Sequence, residues 1–147
     1  MKKSLLLAGA IMMMSAALFA QQKKAEEVVK FKELVYDFGK IKQGTPVTHD
    51  FPFTNNSDGP VIIESAVASC GCTTPTKPEG AVLKGKDDKI IAGFNAAAPG
   101  PFNKSITVKI AGIDLPLQLK IVGEVLTADA YAKYEAEKGT EKPKSGS

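Results

Sequence analysis

Cys70 and Cys72 are the only cysteines in a chain of 147 residues, and a single glycine separates them. Two thiols at this spacing support three kinds of chemistry. In an extended segment, residues i and i+2 point to the same side, with Cα atoms roughly 6.5 Å apart, near the upper limit for a disulfide. Gly71 can adopt positive φ and fold the pair inward. The first reading is therefore a small local disulfide. Strain in such a bond raises its reduction potential, so exchange with other thiols belongs to the same reading. Its loop is too short to stabilise the fold much through chain entropy. The second reading is metal capture, since paired thiolates suit Cu(I) or Zn(II). A closed zinc site needs four ligands, and the chain offers only His49 beside the pair. Cys70, Cys72 and His49 are thus the alternative metal set, with copper as its ion. A lone histidine in the apolar phase of a strand is more often packed and hydrogen-bonded than a ligand. The third reading is a pair of small thiols closing a strand-to-loop corner.

Other catalytic sets are missing from the sequence. One histidine and no arginine leave no recognisable Ser-His-Asp arrangement. Gly80, Gly85 and Gly93 read as turn and strand glycines, with no loop that cradles a phosphate. Asp87-Asp88 reads as a solvated charge pair in a turn. The absence of arginine, the usual reader of guanine and phosphate, argues against nucleic acid.

The two ends frame these residues. Lys2 and Lys3 precede the apolar run Leu5 to Phe19, which is shorter than the ~20 residues that span a bilayer. Residues 1–20 therefore read as an export signal cut after Ala20. No cysteine lies near the cut, so no lipid anchor is expected, and the shortness of the apolar run argues against an integral membrane anchor. Removing Lys2 and Lys3 leaves 17 lysines against 16 acids, a net charge of +1, so the apparent basicity belongs largely to the signal. Export to an oxidising periplasmic or extracellular space favours the disulfide. At the other end, residues 127–147 read as a polar tail. Thr127 to Lys138 has a helical pattern, with Asp129 near its start and Gly139 placed as a C-cap. Tyr131 and Tyr134 share a face that packs on the domain. From Thr140 onward the low apolar content predicts disorder.

Between them, residues 28–126 alternate with period two. Ile113, Leu115, Leu117, Leu119, Ile121 and Val125 alternate with polar residues, giving a long half-buried strand with Gly123 as a bulge. Pro116 falls on its outward phase and cannot donate to a ladder, which places this strand at a free edge or a bend. Ile106, Val108 and Ile110 precede it across a hairpin turn at Ala111-Gly112. Val47, His49, Phe51 and Phe53 share one phase. After the turn Asn55 to Pro60, Val61, Ile63, Ser65 and Val67 share the next. Leu34 to Phe38 is the first strand, closed by Gly39, and Ile90 to Phe94 is another. About seven short strands over ~100 residues predict an antiparallel, immunoglobulin-like β-sandwich. Its core is predicted to hold Phe38, Phe51, Phe53, Ile63, Phe94, Val108, Leu117 and Leu119.

Asp37-Phe38-Gly39-Lys40-Ile41, Gly44, His49 to Asn56, Pro60 to Ile63 and Ser69-Cys70-Gly71-Cys72-Thr73 together resemble one bacterial family. It is the domain-of-unknown-function family numbered 1573, and the resemblance runs from about Phe31 to Val125. Its members look like exported immunoglobulin-like modules, similar to the sandwich domains of the major sperm protein and Hydin groups. The resemblance implies the fold and transfers no activity.

Two functions follow. One is a non-enzymatic interaction module for an envelope protein, binding through the edge that carries Pro116 or the loop Cys70 to Lys77. The other is a thiol-disulfide or copper-handling protein working through Cys70 and Cys72.

Overall fold

The computed structural model describes residues 24–140. The expected signal at residues 1–20 and the end of the polar tail, residues 141–147, lie outside them. The elements are α1 (Ala25–Val28), β1 (Val29–Phe31), β2 (Val35–Lys42), β3 (Val47–Asn55), β4 (Ile63–Ala68), β5 (Thr73–Thr76), β6 (Asp87–Phe94), β7 (Gly100–Ile110), β8 (Leu117–Leu126) and α2 (Ala128–Thr140). The eight strands form two sheets of four, in the orders β1-β3-β6-β5 and β2-β8-β7-β4.

Alternation buries one face of each sheet against the other, and aliphatic and Phe side chains fill the space between them. Phe51, Phe53, Ile63, Phe94, Val108, Leu117 and Leu119 are buried, while Phe38 is only partly so. Asn55 ends β3 fully buried and fully bonded. Its amide donates to the carbonyls of Gly59 and Val82, each at 2.8 Å, and its Oδ1 accepts from the Ser57 N–H and hydroxyl. One side chain thereby pins the turn that separates β3 from β4.

The sandwich is not wholly antiparallel, because β2 runs parallel to β8. The cause is local. Between β1 and β2 the chain shifts from one sheet to the other through Lys32–Leu34 without a reversing turn. Its direction is kept while its partner changes. Gly39 does not end this strand. The Gly39 N–H takes the Asp37 carboxylate at 2.7 Å, φ is +65°, and the pairing slips by one residue before resuming at Lys40 opposite Glu124. The bulge therefore sits on β2, and Gly123 in β8 faces it.

Three further expectations are corrected. Val67 is 60% exposed, because a register shift between Ile63 and Ser65 inverts the phase and turns Ala66 and Ala68 inward. β8 begins at Leu117, after Pro116, and lies between β2 and β7 as an inner strand. Pro116 belongs to a six-residue connection, 111–116, in which Ile113 folds back onto the core and donates to the Ile110 carbonyl. It has no N–H to give a central strand, so the ladder starts after it. The tail helix runs Ala128–Thr140, so Gly139 lies in its last turn. The Thr127 hydroxyl accepts from the Ala130 N–H at 3.4 Å at its start. Tyr131 and Tyr134 are half-buried, and Lys40 Nζ stands 5.0 Å over the Tyr134 ring.

Candidate functional site

The cysteine pair forms the corner where the chain leaves one sheet and enters the other. β4 ends at Ala68, and Ser69 closes its ladder to β7. The Ser69 N–H donates to the Ser105 carbonyl at 2.9 Å. The returning Ser105 N–H finds the Ser69 hydroxyl at 3.2 Å instead of the Ser69 carbonyl. That exchange of acceptors frees the backbone to turn. Cys70, Gly71, Cys72 and Thr73 then make a tight turn, closed by Thr73 N–H donating to the Cys70 carbonyl at 3.3 Å. β5 follows at once and joins β6.

Within that turn Cys70 and Cys72 are joined as a disulfide, with Cα atoms 5.3 Å apart. The turn brings them closer than an extended segment would. Both are half-buried, and Cys72 packs on the core. Thr73 beneath them is 3% exposed. Its hydroxyl lies 3.7 Å from Cys70 Sγ and 4.0 Å from Cys72 Sγ. A disulfide sulfur carries no hydrogen, so the hydroxyl is the donor.

His49 is held elsewhere. Its Nε2 lies 2.8 Å from Glu33 Oε1, and its ring stacks on Tyr36 at 3.4 Å between centroids. The three candidate ligands Cys70, Cys72 and His49 are not gathered. Among the described residues no three His, Cys, Asp or Glu side chains converge on a metal position.

The four edge strands differ in what they offer. β1 has three residues. β2 is broken by its bulge and has α2 against it. In β5, Cys72 accepts from the Asn95 N–H, so by alternation Thr74 and Thr76 face β6 while Thr73 and Pro75 face outward. Thr73 spends its N–H on Cys70, and Pro75 has none, so this edge presents no free donor among its outward residues. In β4, the Ser69 bond sets the phase. Ser65 and Val67 face β7, and Ala66 and Ala68 turn their N–H and C=O groups outward. These groups have no partner among the described residues. The run Ser65-Ala66-Val67-Ala68-Ser69 carries no charge, proline or bulge. β4 is therefore the open edge, and it leads directly into the disulfide corner. Sequence reading named the corner and missed the edge. The signal was this uncharged run, but edge position depends on sheet order.

The fold is a mostly-β, immunoglobulin-like sandwich, and PapD-like domains are among its structural neighbours. The chain belongs to the family described as "Protein of unknown function (DUF1573)", which matches residues 29–125. No curated protein matches it. Its fold is similar to that of a protein of unknown function from Porphyromonas gingivalis, at 14% identity and a TM-score of 0.57, covering 67% of this chain and 46% of that one. PapD-like domain 7 of human CEP192 aligns at 13% identity and a TM-score of 0.60, over 79% of this chain and 98% of that one. The secreted serine protease VesC of Vibrio cholerae aligns at 12% identity and a TM-score of 0.55, over 69% of this chain and 24% of that one. The chain thus spans less than half of the first of these proteins and about a quarter of the last. These likenesses are of fold.

Proposed function

We propose that this chain is an exported interaction module that takes an extended segment of an envelope protein onto β4. One observation carries the reading. β4 is the edge whose outward N–H and C=O groups at Ala66 and Ala68 lack partners, while the other three are short, bulged or without donors. Main-chain hydrogen bonds to such an edge supply affinity, and the flanking side chains supply selection. Around it stand Val67, Ser65, Ser69 and, across the ladder, Thr107. A segment with small or β-branched side chains suits this surface.

The test uses the mature chain as bait in envelope extract, beside Ala66→Pro. Proline removes one outward N–H and leaves the β7 ladder intact. A partner captured by the native chain and lost with Ala66→Pro supports the reading, as does slowed amide exchange at Ala66 and Ala68 in the complex. The same partner held equally by both proteins rejects it. N-terminal sequencing of the mature protein tests export, and recovery of Met1 removes that part.

A further inference from the structure

We infer that the Cys70–Cys72 disulfide is a thiol-exchange site for a cysteine carried on a segment lying along β4. The inference rests on the edge reading for the partner's placement, and on two separate observations for the chemistry.

The corner does not depend on its sulfur bond. The Ser69–Ser105 pair, the Thr73 to Cys70 bond and the Asn95 to Cys72 bond at 3.0 Å all hold the backbone without it. Opening the disulfide leaves both sulfurs on a fixed turn, within reach of each other, so closure is ready to follow.

A buried hydroxyl serves both sulfurs. Thr73 Oγ1 contacts Cys70 Sγ and Cys72 Sγ and no other acceptor among the described residues. Buried hydroxyls are normally spent on oxygen acceptors. A thiolate at either sulfur would accept this hydrogen far more strongly than a disulfide does.

The pair lies at the end of the open edge. Ala68, whose N–H points outward, is two residues before Cys70. A segment paired with β4 that runs past Ala68 brings its next side chains to Cys70. Cys72 packs on the core and Cys70 is not part of that packing, so Cys70 is the sulfur a partner meets.

The step balances without an oxidant. A partner thiolate attacks Cys70 Sγ. A new disulfide forms between the partner and Cys70, the Cys70–Cys72 bond breaks, and its electron pair leaves on Cys72 Sγ as a thiolate. Thr73 donates its hydroxyl hydrogen bond to that thiolate. One disulfide is traded for another. In the reverse step the Cys72 thiolate attacks Cys70 Sγ and releases the partner. Thr73 is a positioning residue here.

Two probes separate the parts. Reduced glutathione has no strand-forming length and tests the sulfur site alone. A synthetic peptide of alternating valine and threonine that ends in one cysteine tests site and edge together. With the oxidised chain, mass spectrometry should find glutathione on Cys70. Thr73→Val should slow the exchange about tenfold, the loss expected for one hydrogen bond to a charged group. Thr73→Ser should restore it, with thermal midpoints measured on each variant to separate exchange from stability. The peptide should react faster than glutathione, and Ala66→Pro should remove that advantage. A native chain inert to glutathione, adduct at Cys72, or Thr73→Val reacting like the native chain overturns the exchange site. Glutathione exchange with no peptide advantage leaves the sulfur chemistry standing and overturns the role of β4.

Discussion

The ring of Phe102 occupies the space that a side chain on Gly123 would need. The two residues are paired across β7 and β8, and a Cβ built on Gly123 would lie 2.8 Å from Phe102 Cζ and 2.8 Å from the Gly39 carbonyl oxygen. φ at Gly123 is +154°. The glycine lets Phe102 lie over the backbone and stack on Phe94 with centroids 4.2 Å apart. The same absence of a side chain admits the bulge of β2.

Gly123→Ala should therefore destabilise the domain by about 1–3 kcal/mol, as overpacking against backbone does. Urea unfolding measures it. A neutral result would show that β2 can retreat from β8 at no cost.

Tyr36 and His49 join the two sheets on the side away from the disulfide. Tyr36 comes from β2 and His49 from β3, their planes differ by 4°, and Glu33 bonds the imidazole. A double-mutant cycle of Tyr36→Ala and His49→Ala should give a coupling of about 0.5–1.5 kcal/mol, the range for stacked rings. Additive effects would mean that the stack contributes nothing beyond burial.

The ladder phase of β4 separates two neighbouring substitutions. Val67→Pro removes an N–H that bonds β7, and Ala66→Pro removes one that faces outward. Val67→Pro should be the more destabilising by about 1–2 kcal/mol, roughly one ladder hydrogen bond with its partner left unpaired. Equal midpoints in urea, or the reverse order, would contradict the assignment of the open edge.

Replacing both cysteines by serine should cost less than about 2 kcal/mol, because a three-residue loop constrains the unfolded chain weakly. Differential scanning calorimetry on the oxidised native chain and the double variant decides it. A loss of about 4 kcal/mol or more would make the bond a structural staple.

Much of this architecture was legible, and what was not has physical causes. Phe51, Phe53, Leu117 and Leu119 announced themselves by period two, because a half-buried strand must alternate. The same rule misplaced Val67, since one extra residue near Glu64 inverts every later side chain in the strand. Thr73–Thr76 went unread as a strand because Thr-Thr-Pro-Thr carries no apolar alternation. Pro116 reads as an edge signal in the sequence, yet proline just before an inner strand satisfies the same constraint. The cysteine pair was plain from spacing alone. The open edge was not, since the order of strands in a sheet is set by contacts between distant segments.

The parallel alignment of β2 with β8 has a consequence for how the chain folds. Val35 pairs with Lys120 and Lys42 with Leu126, so an early strand waits for the last one. Closing so long a loop is entropically slow, and sheets built from such distant pairings form late. Until Leu126 has emerged, β2 has no ladder to join, and the second sheet holds only β7 and β4. The first sheet has all its strands once Phe94 has emerged, so the two halves of the sandwich become complete at different times, and the second is the one that waits for Leu126.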